Sequence, residues 1–218
     1  MLEDYFPRKF QQPMNISTFA RLGVSQASFL SEFKDVSTNN FSRQQPDQTG
    51  YDLDINKING WMEENHKFSL LNIRLGDMNN NFVGKLNRLE FVGTGEYGNK
   101  QISFSHNKMP STGNPKFFDD YKIQLATYAF CLKNHPVFKH CDILDAKIII
   151  KYPGSEDVKN EFVATVQKLE EWIMYMPNLI ETACKLISGE VEPKNEYYSL
   201  ERKHWVSNFA PKYKFSIN

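Results

Sequence analysis

Gly84-Lys-Leu-Asn87-Arg88-Leu-Glu90-Phe, then Ile102-Ser-Phe-Ser105-His106-Asn107-Lys108, then Tyr121-Lys-Ile-Gln124-Leu-Ala-Thr-Tyr128: these three runs decide the fold. The first lies within Phe82–Val92 and the second extends Gln101–His106. Both are short apolar-rich segments bounded by Asn and Gly turns, the pattern of adjacent strands. The third lies in a segment from about Asp119 to Asn134 that reads as a helix, with Asp119 and Asp120 suited to the positive end of its dipole. Gln124 and Tyr128 stand one helical turn apart, on one face.

Working outward, His66–Leu75 alternates in part and ends at the Asn-rich turn Asn79-Asn80-Asn81, giving a third strand and an antiparallel meander. Asp145–Tyr152, with its Ile148-Ile-Ile150 run, reads as a further strand. Val158, Phe162, Val166, Leu169, Ile173 and Met176 step by three and four, which predicts a helix from a Ser155 N-cap. Pro177 kinks or restarts that helix and Gly189 closes it. On the N-terminal side, Asn15 to Phe33 has helical periodicity, and Leu53 to Met62 forms a shorter amphipathic stretch. The expected organisation is an N-terminal arm (1–14), an α/β domain (15–190) and an aromatic, basic tail (191–218).

The 218-residue chain balances 26 Lys and Arg against 26 Asp and Glu, so its formal net charge is zero. A nucleic-acid binder that works through bulk charge normally carries a basic excess. Three cysteines (Cys131, Cys141, Cys184) without Cys-x-x-Cys spacing argue for reduced thiols and against a zinc site. No apolar leader and no run of membrane-spanning length appear, so a soluble intracellular protein is expected. Gly93-Thr-Gly95-Glu-Tyr-Gly98 matches Gly-x-Gly-x-x-Gly. It falls between two strands rather than opening a helix, so it reads as a hairpin turn.

The ordered set of helix, meander, Gln-x-x-x-Tyr helix, Ile-rich strand and final helix resembles the RecB-like branch of the PD-(D/E)XK nuclease superfamily over roughly residues 15–190. That resemblance implies an α/β fold with a PD-(D/E)XK-like core, a central mixed sheet (antiparallel meander plus an added strand) flanked by helices. In the family, Gly-x-x-Asp-Arg and a strand ending in Asp/Glu-x-Lys hold one or two divalent metals and orient the attacking water. The matching positions are Asn87, Ser105 and Asn107, none of which supplies the charge that a hard cation demands. A one-residue shift brings His106 and Lys108 to the last two positions, and Glu90 is the nearest carboxylate on the strand face of Asn87. Glu63 and Glu64 precede the meander and stand where some members carry an earlier acid. Gln124 and Tyr128 match residues that support the site and the nucleic acid in the family, although packing against the sheet explains the same pair. Some members hold an iron–sulfur cluster through one early and three late cysteines. Residues 195–210 contain no cysteine, so no cluster is expected.

The expected protein is therefore a catalytically degenerate nuclease-like domain without a cofactor. It would be a structural or nucleic-acid-associated subunit of a larger assembly, a virus or phage particle being one setting. Protein partners would dock on its arm and tail, DNA is a further candidate partner, and no membrane contact is implied. Two alternatives stand beside it. One is an active exonuclease using Mg²⁺ or Mn²⁺ in a site rearranged around Glu63 or Glu64, Glu90, His106 and Lys108. The other is an unrelated α/β protein-interaction module.

Overall fold

A computed structural model describes residues 10–38, 55–77, 80–108, 119–151 and 158–208. The expected Ser155 N-cap, residues 1–9 of the expected arm and residues 209–218 of the expected tail lie outside these residues.

The core is a mixed sheet. β1 (Met14–Asn15), β2 (Phe68–Asp77), β3 (Phe82–Thr94), β4 (Lys100–Lys108), β5 (Asp142–Lys151) and β6 (Val158–Thr165) form it, with β3, β4, β5 and β6 in spatial order. β2, β3 and β4 make an antiparallel meander, β5 runs parallel to β4, and β6 returns antiparallel to β5. The two-residue β1 pairs in parallel with Phe82 and Val83 of β3. A parallel neighbour requires a crossover connection, and α4 (Asp119–Asn134) provides it between β4 and β5.

The helices α1 (Ile16–Ala20), α2 (Gln26–Thr38), α3 (Ile55–Glu63), α4, α5 (Val166–Ile173) and α6 (Met176–Ser188) complete the main body. Alternate strand residues face α4 and its neighbours: Leu89 and Phe91, Ile102 and Phe104, Ala146, Ile148 and Ile150, all buried. Ile123, Leu125, Ala126, Tyr128, Ala129 and Leu132 meet them from α4, which is buried on nearly all sides. Gly84 is favoured at its position, because a Cβ there would lie 2.7 Å from the Cδ1 of Ile16 in α1 and force that side chain to shift. Gly23 is required at its position, since its Cβ would lie 2.3 Å from the backbone nitrogen of Asp120 at the start of α4.

Three elements differ from the sequence expectations. Val158–Thr165 is a strand, not the first turns of a helix, and the helix begins only at Val166. Phe162 and Ala164 face the core, while Val163 is exposed, so the strand's period of two prevails there. The N-terminal helix is interrupted by a 3-10 turn at Arg21–Gly23, where the chain passes close to α4. Residues from the expected tail form a hairpin, β7 (Glu196–Ser199) and β8 (His204–Ser207). It packs on α4 through a Ser199–Asp119 hydrogen bond of 3.2 Å and a Lys122–Glu201 ion pair of 2.9 Å. Leu200 at its turn is fully buried. From the expected arm, Phe10 is also buried, its ring edge-on to Phe82 at 5.3 Å and to Phe19 at 6.0 Å.

Candidate functional site

The helices α1, α4 and α5 pack on one face of the sheet, and the other face forms a polar cleft of about 890 Å³. Its floor follows from strand alternation and register. Ser69 and Leu71 of β2, Arg88 and Glu90 of β3, Ser103, Ser105 and Asn107 of β4, and Asp145, Lys147 and Ile149 of β5 point into it. Four basic residues (Lys67, Arg88, Lys147, Lys151) and three acidic ones (Glu90, Asp145, Glu161) line it. The cleft therefore has almost no net charge.

The position of Asn87 depends on a shared irregularity in β2 and β3. The inward residues are Phe68 and Leu70, then Ile73 and Leu75, in β2; they are Leu86, then Leu89 and Phe91, in β3. Both strands change phase between the Leu71–Arg88 and Ile73–Leu86 pairs, where Asn72 adopts a left-handed φ of 54°. Asn tolerates that conformation better than most residues. Just there, the Asn87 amide oxygen accepts a 2.8 Å hydrogen bond from the backbone N–H of Asn107. Asn87 and Asn107, two of the positions singled out in the sequence, are thus in direct contact, and Ser105 lies two residues along β4 in the same cleft.

The other candidates separate. Glu90 lies in the cleft but is held by Arg88 at 2.6 Å, with the Ser69 hydroxyl 3.4 Å from the same oxygen. His106 and Lys108 alternate with Ser105 and Asn107 and so face the opposite side, beneath α4. The His106 ring lies 5.3 Å from that of Tyr128, and the Lys108 ammonium lies 5.2 Å above Tyr121. Burial, helped by the charge of Lys108, lowers the His106 pKa to about 4. Burial also lowers Lys108, against the raising influence of Asp120. Glu90 on one face and His106 with Lys108 on the other do not converge.

Gln124 and Tyr128 are buried on the helix side and line no part of the cleft. The Tyr128 hydroxyl donates to the Lys85 carbonyl at 2.7 Å, which ties α4 to β3. Burial raises its pKa well above the ordinary phenol value. Gln124 Oε1 and His106 Nδ1 are both buried without a hydrogen-bond partner. Glu64 pairs with His66 at 3.2 Å on an exposed turn, and neither Glu63 nor Glu64 lines the cleft. The Gly93–Gly98 segment closes the β3–β4 hairpin, with Gly95 N–H donating to the Asn99 carbonyl at 2.8 Å.

Asp145 escaped the sequence reading. It starts the predicted Ile-rich strand, yet only the parallel register sets it beside Ser103, whose hydroxyl lies 3.4 Å from its Oδ2. Its other oxygen is buried and unbonded. Among the described residues, no three His, Cys, Asp or Glu side chains gather as a candidate metal-holding group. No described helix is long and apolar enough to cross a membrane.

No protein-family model matches the chain. No curated protein matches it either. Among solved structures, one described as "Crystal structure of SSO0001" is similar at 10% identity, covering 85% of this chain and 80% of that one, with a TM-score of 0.36. So distant a likeness carries no functional argument. What the fold and site define directly is an α/β domain with a mixed central sheet, helices on one face and a polar cleft on the other.

Proposed function

We propose that this chain is a degenerate nuclease-like domain of PD-(D/E)XK type that does not cleave nucleic acid and serves as a structural subunit of a larger assembly. The observation that carries the reading is the Asn87–Asn107 hydrogen bond. An amide with its oxygen already engaged by a backbone N–H stands where the chemistry needs a free carboxylate, and an asparagine stands where it needs a cation. The order of elements supports the ancestry: an antiparallel meander, a crossover helix and a strand parallel to the last strand of the meander. Glu90 adds a negative charge to the cleft, but Arg88 neutralises it.

Burial of Gln124 and Tyr128 assigns them, on this reading, to holding α4 against the sheet. The nearly balanced charge of the cleft favours a protein partner over a phosphate backbone, whose binding rests on cation contacts. The test is incubation of the purified protein with single- and double-stranded DNA and RNA in Mg²⁺ or Mn²⁺. No cleavage above buffer is expected. Metal-dependent cleavage that Glu90→Ala abolishes would overturn the proposal and restore the active-exonuclease alternative.

A further inference from the structure

The cleft floor is organised in rows across the strands. Register places Ser69, Glu90, Ser103, Asp145 and Thr165 side by side on β2, β3, β4, β5 and β6. Two residues along, Leu71, Arg88, Ser105, Lys147 and Val163 form the next row. The first row carries its two carboxylates on β3 and β5, and the second carries its two cations on the same strands. The rows lie about 7 Å apart, two residues of rise along a strand. At the ends of the cationic row, Leu71 is 66% and Val163 is 42% exposed, although both are apolar.

We infer that this face docks a second copy of the same chain, sheet against sheet, about a two-fold axis lying between and parallel to the two rows. Rotation about that axis sets each row opposite the other row of the second copy and keeps every strand opposite itself. Glu90 then stands opposite Arg88 of the second copy, and Asp145 opposite its Lys147, with the buried Ser103 and Ser105 between them at the floor of the cleft. A two-fold interface must be self-complementary in this sense, and a random scatter of charges is not. Each cation already has one carboxylate in its own chain, Glu90 for Arg88 and Glu161 for Lys147. The second copy supplies another, which counts for more once water leaves the gap.

The same pattern argues against a nucleic-acid strand, since a phosphate chain crossing the cationic row would also lie along the carboxylates. Five strands spaced by about 4.8 Å and roughly eight residues long give a face of roughly 500 Å² per copy. About 1,000 Å² in total is the lower limit for a specific interface, so the dimer is weak and reversible. The inference goes beyond the nuclease-like reading: self-association stands or falls independently of whether the chain cleaves nucleic acid.

Sedimentation of the full chain tests it. The wild type is expected to pass from monomer to dimer between about 1 and 100 µM, and to shift back toward monomer in 1 M salt, where screening extends to only ~3 Å. A positive variant (Glu90→Lys with Asp145→Lys) and a negative variant (Arg88→Glu with Lys147→Glu) should each remain monomeric, because like charges then oppose across the axis. Mixed in equal amounts, the two should form a heterodimer. Glu90→Lys and Arg88→Glu alone, at solvent-exposed positions, should show the same crossing pattern at smaller amplitude if a double variant fails to fold as judged by circular dichroism. A wild type that is monomeric throughout the range, variants that dimerise like wild type, or folded variants that fail to pair on mixing would each overturn the inference. A monomeric wild type that binds a labelled oligonucleotide through Arg88 and Lys147 would also overturn it, and would assign the face to nucleic acid.

Discussion

The Tyr128 hydroxyl and the Lys85 carbonyl form a 2.7 Å hydrogen bond that joins the middle of α4 to β3, one residue past Gly84. It lies on the helix side of the sheet, where water cannot readily replace it. Tyr128→Phe should therefore leave the carbonyl unsatisfied and lower stability by about 1–3 kcal/mol. Urea unfolding gives the measurement. Self-association of the chain should be unchanged, because Tyr128 is remote from the cleft, and a large change there would show that α4 and the cleft face are coupled.

A second hydrogen bond, between the Asn87 side chain and the Asn107 backbone, predicts a contrast between two substitutions. Asn87→Ala removes the acceptor and should cost about 1–2 kcal/mol. Asn87→Asp retains an acceptor oxygen and strengthens it with charge, so stability at neutral pH should stay near wild type. Equal losses in the two variants would mean that the amide nitrogen, not the oxygen, carries the interaction.

Much of this architecture was legible in the sequence, and the remainder has identifiable physical reasons. α4 runs from Asp119 to Asn134, as its charged first turn and length indicate, and the meander strands lie within a few residues of expectation. These elements are specified locally by turn residues and periodicity. Val158 and Phe162 fit a step of four, but they also fit alternation, and only pairing with β5 distinguishes the two. The break at Arg21–Gly23 reflects the approach of Asp120, nearly a hundred residues away in sequence. Asn87 and Asn107 were singled out in the sequence, whereas their contact depends on a phase change shared by β2 and β3. The opposed rows of carboxylates and cations were invisible, because no row contains two consecutive residues of the chain.

The two close-packed glycines should respond differently to the same substitution. Gly84→Ala drives a methyl into the Ile16 side chain, which has other atoms to move, so a loss of about 1–3 kcal/mol is expected. Ile16→Val combined with Gly84→Ala should recover part of that loss, and a double-mutant cycle measures the coupling. Gly23→Ala meets the backbone of Asp119 and Asp120 instead. No side-chain truncation relieves that clash, so its loss should be larger and should resist rescue by a second substitution.

Acid should destabilise the protein through two histidines. Burial lowers both His106 and His135 to about 4, from an ordinary value of 6.5. The His135 Nδ1 accepts the Val137 N–H at 3.2 Å, a bond that protonation at that nitrogen removes. In the unfolded chain both rings take up protons near pH 6.5, whereas in the folded chain they wait until about pH 4. Between those values the unfolded state binds more protons, so stability falls as pH falls through the window and is unaffected by these groups above it. Each contributes up to about 3 kcal/mol at full protonation. Asp119 and Asp120, raised chiefly by burial, act in the opposite sense close to the carboxylate range and soften the decline at its acid end. Urea unfolding at pH 7.5 and 4.5 should show a clear loss of stability. His106→Phe, which keeps a ring against Tyr128 and removes the titrating nitrogens, should reduce the pH dependence by about half, whereas an unchanged slope would mean that His106 is accessible to protons in the folded protein.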